Sequence, residues 1–145
     1  MTTHTIVTRI VPYRALLYWT STVLVAAELA VGGWWDVARI ATVREVVAAL
    51  GYPTYFLVIL GVWKLLGAVA LLAPRLPLVK EWAYAGTFFV YSGAIASHLT
   101  TGEKLIEVPI LLVMATLTAV SWATRPADRR FVNAEPAETD ASATV

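Results

Sequence analysis

Four ionisable side chains stand inside apolar runs that should exclude them: Glu28, Lys64, His98 and Glu107. A charged group at the centre of a spanning helix costs roughly +2.5 to +3.5 kcal/mol on insertion scales, so such residues face protein or water and pair with one another. Two kinds of chemistry fit these residue types. Glu28 or Glu107 beside His98 could act as general acid or base, tuned by burial and by the Lys64 ammonium. Alternatively, Lys64, Tyr91 and His98 could hydrogen-bond a carbonyl or quinone oxygen, with Trp63 and Phe88 or Phe89 against the ring. The candidate ligand-binding set is therefore Glu28, Trp63, Lys64, Tyr91, Ser92, His98 and Glu107, with Glu28, His98 and Glu107 as the catalytic candidates. No metal site is expected. The chain has no cysteine, which excludes disulfides, thiolate chemistry and cysteine-ligated clusters. Its two histidines, His4 and His98, lie too far apart to suggest a bis-histidine haem within one subunit.

The elements that position these groups follow from composition. Of 145 residues, 59% are hydrophobic and 14% charged, and mean hydropathy is +0.69. Soluble domains are nearer half apolar and a quarter charged, so this is a polytopic membrane composition. A net charge of +1 offers no basic field for nucleic acid. A bilayer core needs about 20 mainly apolar residues per helix, and four windows qualify: 15–35, 54–73, 82–100 and 105–124. Gly32, Gly33 and Asp36 close the first, Gly51-Tyr52-Pro53 opens the second, Pro74 and Pro77 end it, and Pro126 stops the fourth. The first window is too long, and too interrupted by Glu28, for a cleavable signal. The expected fold is an all-α integral membrane four-helix bundle.

Outside the apolar windows, seven basic residues (Arg9, Arg14, Arg75, Lys80, Arg125, Arg129, Arg130) fall on one side and three (Arg39, Arg44, Lys104) on the other. The positive-inside rule then puts both termini in the cytoplasm. Tyr13, Tyr18, Trp19, Trp82 and Trp122 would form the inner aromatic belt, and Trp34, Trp35, Tyr52 and Tyr55 the outer one. Between the first two spans, Val37, Ile40, Val43, Val47 and Leu50 recur at helical spacing. They predict a short extracytoplasmic amphipathic helix, lying either on the outer leaflet or packed on the bundle. Residues 1–14 read as a cytoplasmic N-terminal segment, 15–125 as the membrane domain and 126–145 as a disordered cytoplasmic tail.

At about 1.5 Å of rise per residue, Glu28 and Lys64 lie at nearly the same depth below the outer boundary. Glu28 and Lys64 should pair, and all four ionisable groups should share the outer half. Tyr84, Thr87, Tyr91, Ala94 and His98 make one face of the third span. Glu107, Leu111, Met114, Thr118 and Ser121 make one face of the fourth. Gly61, Lys64 and Gly67 share a face of the second, where small residues let another helix approach. Each feature also has a purely structural reading. Glu28–Lys64 would fix helix register, His98 would be a solvated helix-end residue, Glu107 an acid favoured by a helix N-terminus, and Tyr91 and Trp63 packing.

The stretches "GYPTYFLVILGVWKLLGAVALLAP" (51–74) and "KEWAYAGTFFVYSGAIASHL" (80–99), with Glu28 and Pro109, resemble the DoxX-like family of small four-helix membrane proteins. The resemblance covers residues 14–126. It implies a bacterial inner-membrane protein, in a family named after a subunit of a thiosulfate–quinone oxidoreductase, and carries no agreed catalytic residues. The function it suggests is an accessory subunit of a redox or envelope complex, not an enzyme by itself, with a polar pocket for a quinone- or lipid-like molecule. Quinone is then the one cofactor to expect. The partners to expect are the bilayer, further copies of the chain or a redox enzyme. A stand-alone acid–base enzyme on a hydrophobic substrate and a proton-coupled carrier are the alternatives.

Overall fold

The computed structural model describes residues 3–129, all helices and connections with no strand among them. Five α-helices follow in order: α1 Thr3–Ala38, α2 Ala41–Ala49, α3 Tyr55–Leu72, α4 Pro77–Thr101 and α5 Val108–Thr124. A 3-10 turn, Leu105–Glu107, leads into α5, and another, Ala127–Arg129, follows it. The expected tail lies outside the described residues from position 130 onward.

Three segments are long and apolar enough to cross a membrane: Tyr13–Ala38, Tyr55–Leu72 and Leu105–Thr124. They correspond to the first, second and fourth windows of the sequence. The third window falls in α4, which at 25 residues has the length but not the apolarity. Its inward face carries Lys80, Tyr84, Thr87, Tyr91 and His98, all buried, and these lower the hydropathy of the whole segment.

Boundaries differ from the sequence reading at both ends of the first helix, in the amphipathic element, and at the start of the third span, where α4 begins at Pro77. The first helix does not stop at Gly32-Gly33. It runs on to Ala38, so Asp36 is a helical residue one turn beyond Gly32 and buried. It also begins at Thr3, so most of the segment expected to precede the span belongs to the same helix. The amphipathic element is correspondingly shorter, at nine residues. Arg39, at φ 52°, breaks the chain between α1 and α2.

The long helices pack as neighbours in the cycle α1–α3–α4–α5–α1, with α1 against α3 the most extensive face. Between apolar helices in lipid, association rests on close van der Waals contact and polar links, not on removing apolar surface from water. Both appear here. At the α1–α3 crossing, a methyl at Gly61 would stand 2.6 Å from the Gly33 carbonyl oxygen and 2.8 Å from the Val37 nitrogen, so only glycine permits this backbone approach. At the other end of the bundle Thr22 Oγ1 and Ser121 Oγ are 2.6 Å apart, and Tyr84 Oη is 2.7 Å from the same Ser121 oxygen. That hydroxyl cluster ties α1, α4 and α5.

Inside and outside are inverted relative to a water-soluble domain. The fully buried side chains include Tyr18, Tyr91, Lys80, Thr22, Thr118 and Ser121, whereas Val69, Trp82 and Phe89 are largely exposed. Such a surface suits hydrocarbon. Tyr18, expected in an aromatic belt, is instead wholly buried and accepts a hydrogen bond from Arg129 at 3.2 Å. Lys80 reaches across the α3–α4 turn and donates to the carbonyls of Ala70 (3.0 Å) and Leu71 (2.5 Å). A cation on the unpaired carbonyls at a helix C-terminus is favoured by the helix dipole. Burial, with Arg129 and Arg125 nearby, pushes the Lys80 amine down to about 8.

Candidate functional site

The site is built at the end of the bundle where α1 finishes and α5 begins. Glu28, Gly32 and Asp36 are spaced by four along α1 and share a face. That face meets Lys64 of α3. Lys64 Nζ lies 3.2 Å from Glu28 Oε1 and 3.4 Å from Asp36 Oδ2, so one ammonium bridges two carboxylates. Gly32 makes room for it, since a methyl there would stand 2.6 Å from Lys64 Nζ and 2.8 Å from Glu28 Oε1. The second Glu28 oxygen accepts a short hydrogen bond from the Tyr91 hydroxyl of α4. Asp36 Oδ2 is buried with no hydrogen-bond partner, its contact with Lys64 being ionic only.

His98, near the end of α4, is 3% exposed. Gly102, at φ 72°, reverses the chain there and returns its N–H to the His98 carbonyl at 2.9 Å. The turn brings the Glu103 carbonyl oxygen within 2.8 Å of His98 Nδ1. A carbonyl only accepts, so in the neutral ring Nδ1 carries the proton and Nε2 is left as an acceptor. Glu107 stands at the entry to α5, where Pro109 suits the first turn because its missing N–H would have had no partner.

These groups line a cavity of about 490 Å³ between α3 and α4. Glu28, Asp36 and Lys64 lie on one side, Tyr91, Ser97 and His98 on another, and Glu107 with Leu111 on a third. The apolar face of α2, from Val43 through Val46 and Val47 to Leu50, covers it. This places α2 on the helices, packed by the buried Val47. Tyr52 adds a polar edge, 2.8 Å from Ser97 Oγ, and its ring stacks on Phe56 with centroids 4.9 Å apart.

A second space of about 720 Å³ adjoins the first. It is an apolar groove between α3 and α4, walled by Trp63, Leu66, Val79 and Trp82, and it shares Phe56, Leu60, Lys64, Gly86 and Val90 with the cavity. From Phe56 to Ala73 it follows α3 for about 25 Å at the helical rise, close to the ~30 Å hydrocarbon thickness of a bilayer.

Of the sequence candidates, Glu28, Lys64, Tyr91, His98 and Glu107 come together in the cavity. Trp63 lies in the adjoining groove. Ser92 lines neither, and its hydroxyl donates back to the Phe88 carbonyl at 2.8 Å. Phe89 borders the cavity, whereas Phe88 does not. Three polar cavity residues were not among the sequence candidates for the site: Asp36, Tyr52 and Ser97. Among the described residues no group of three His, Asp or Glu is placed to hold a metal ion.

The two polar clusters do not merge. Val25, Leu29, Ala68 and Leu71 form a buried cluster with the rings of Tyr84 and Tyr91, and Leu111, Met114 and Leu117 pack against it. The hydroxyls of Thr22, Tyr84 and Ser121 belong to the far end. There Glu81 pairs with Arg125 and accepts from Trp122 Nε1 at 3.0 Å.

The model of one family, described as the DoxX-like family, matches residues 20–121. No curated protein and no solved structure gives a match.

Proposed function

The chain belongs to the DoxX-like family of membrane proteins, and from that premise we propose that it is an accessory subunit of a redox or envelope complex whose cavity holds a quinone- or lipid-like molecule. The observation that carries this reading is the junction of two unlike spaces. A cavity whose largely apolar wall carries a few convergent polar groups adjoins an almost wholly apolar groove about 25 Å long at the helical rise. Ligand sites combine apolar walls with a few convergent polar groups in this way.

The reading includes a topology. Four helices cross the bacterial inner membrane, α4 as the least apolar of them, with the termini and the Lys80–Arg125–Arg129 end in the cytoplasm and α2 on the outer side. The seven-to-three distribution of basic residues supports that orientation. The packing of α4 between α3 and α5 supports its crossing with them. On this topology the cavity opens in the outer half, residues 15–125 form the membrane domain, and 126–145 extend into the cytoplasm. Further copies of the chain or a redox enzyme would meet the exposed apolar surface.

One observation favours a second reading, an acid–base enzyme on a lipophilic substrate. Glu107 and His98 Nε2 reach the cavity without a protein partner among the described residues. They do not contact each other, however, and Glu28 is committed to Lys64 and Tyr91. A proton carrier has less support, because among the described residues no hydrogen bond links the Tyr91–Glu28 cluster to the Tyr84–Ser121 cluster.

The experiment is native mass spectrometry with lipid extraction on the purified protein. A specific lipophile, or a co-purifying redox partner, is the expected result. Recovery of bulk phospholipid alone, with no partner, would contradict the proposal.

A further inference from the structure

Resting on the reading of the cavity as the head-group site of an amphiphile, we infer that this head group is a cation that donates hydrogen bonds, an alkylammonium, and not a carbonyl. The reason is an inventory of what the cavity has left to offer.

Its hydroxyl hydrogens are spent. Tyr91 donates to Glu28. Ser97 donates to the Gly93 carbonyl at 2.9 Å, so the 2.8 Å contact between Tyr52 and Ser97 uses the Tyr52 hydrogen. The Lys64 ammonium is held between Glu28 and Asp36. A quinone or ester oxygen entering the cavity meets hydroxyl hydrogens already bonded within the protein, and its remaining donor is an ammonium held beside two carboxylates.

Acceptors, by contrast, are open. His98 is almost fully buried, and its Nδ1 is fixed on the Glu103 carbonyl, which leaves Nε2 as a lone pair at the cavity wall. Glu107 lines the cavity, and its carboxylate has no hydrogen bond or ion pair to another described residue. Asp36 Oδ2 is buried without a hydrogen bond, its one polar neighbour being the Lys64 ammonium at 3.4 Å. Charge agrees in sign: three carboxyl groups, Glu28, Asp36 and Glu107, line the cavity with the single ammonium of Lys64. Burial strengthens each of these terms relative to water. An ammonium near Glu107 and His98 would supply both the missing charge and the missing donors. Phe56 and Leu60, at the junction with the groove, would meet the start of its alkyl chain.

The test uses the full chain in nanodiscs with three probes that differ in their heads: dodecylamine, dodecanol and decylubiquinone. Bound mass is read by native mass spectrometry at pH 7. Dodecylammonium should half-saturate the protein at a concentration at least about tenfold below that for dodecanol, as expected of charge pairing in a partly desolvated site. Glu107→Gln should remove most of that advantage, and Gly93→Phe, which fills the cavity, should remove binding itself. If dodecanol or decylubiquinone binds as tightly as the amine, the inference is overturned while the cavity reading stands. If the amine keeps its advantage in Glu107→Gln carrying Asp36→Asn, the charge assignment is wrong. Should those variants fail to fold, the wild-type ranking of the three probes decides alone. Binding of none of them would bring down the cavity reading and the inference together.

Discussion

Lys64 occupies the space that a side chain at Gly32 would fill: a methyl there would stand 2.6 Å from the ammonium nitrogen. The glycine and the lysine lie on different helices, and each explains the other. A charged side chain in an apolar run is housed here beside a position where the facing helix carries no side chain.

Glycines therefore divide into two kinds, which a mutant series will separate. In an unconstrained helix interior Gly→Ala stabilises by roughly 0.5–1 kcal/mol. Gly93→Ala should do so, because no atom lies within 4 Å of the added methyl. Gly61→Ala should do the reverse, destabilising by roughly 1–3 kcal/mol, since its methyl meets backbone that cannot yield. Gly32→Ala should also destabilise by displacing Lys64. Thermal unfolding in one detergent ranks the three, and equal effects would refute the distinction.

The ion triad changes what rescue requires. Lys64→Met leaves Glu28 and Asp36 without a counter-charge, and removing one partner of a buried pair costs roughly 3–5 kcal/mol. Adding Glu28→Gln should recover only part of this, because Asp36 remains. Adding Asp36→Asn as well should recover most of the rest. Folded yield and unfolding temperature across the series check the order. Full rescue by the double variant would show that Asp36 is not a member.

Much of this arrangement was legible in the residue spacing. The stripe of Tyr84, Thr87, Tyr91 and His98 is buried along one face of α4, as its 3-4 periodicity predicts. The Glu28–Lys64 pair expected from matched depth is formed. Asp36 was hidden because Gly32-Gly33 reads as punctuation, where a glycine demanded by a close crossing looks the same as one that ends a helix. The four-residue spacing of Glu28, Gly32 and Asp36 was the signal that could have found it. The Thr22–Ser121 bond offered no comparable sign. It depends on the rotation of α1 against α5, which neither helix encodes alone.

Lys80 gives a pH dependence. Its amine titrates near 8 in the folded protein, against an ordinary value of 10.5. Between these values the unfolded chain binds more protons, so stability should rise as pH increases from about 8 towards 10.5, with the full penalty present below that window. Lys80→Gln should flatten this slope relative to wild type. Unfolding temperatures of both proteins from pH 7 to 10 test it, and parallel curves would show that Lys80 is not the titrating group.

The central claim, that the cavity under α2 is a ligand site and not a packing defect, is tested most directly by comparing mass spectra of wild-type protein and Gly93→Phe, both purified without added lipid. The account predicts a discrete lipophilic mass on the wild type that disappears from a variant with the same helix content. The same bound mass on both proteins, or a wild type that carries nothing beyond bulk phospholipid, would contradict it.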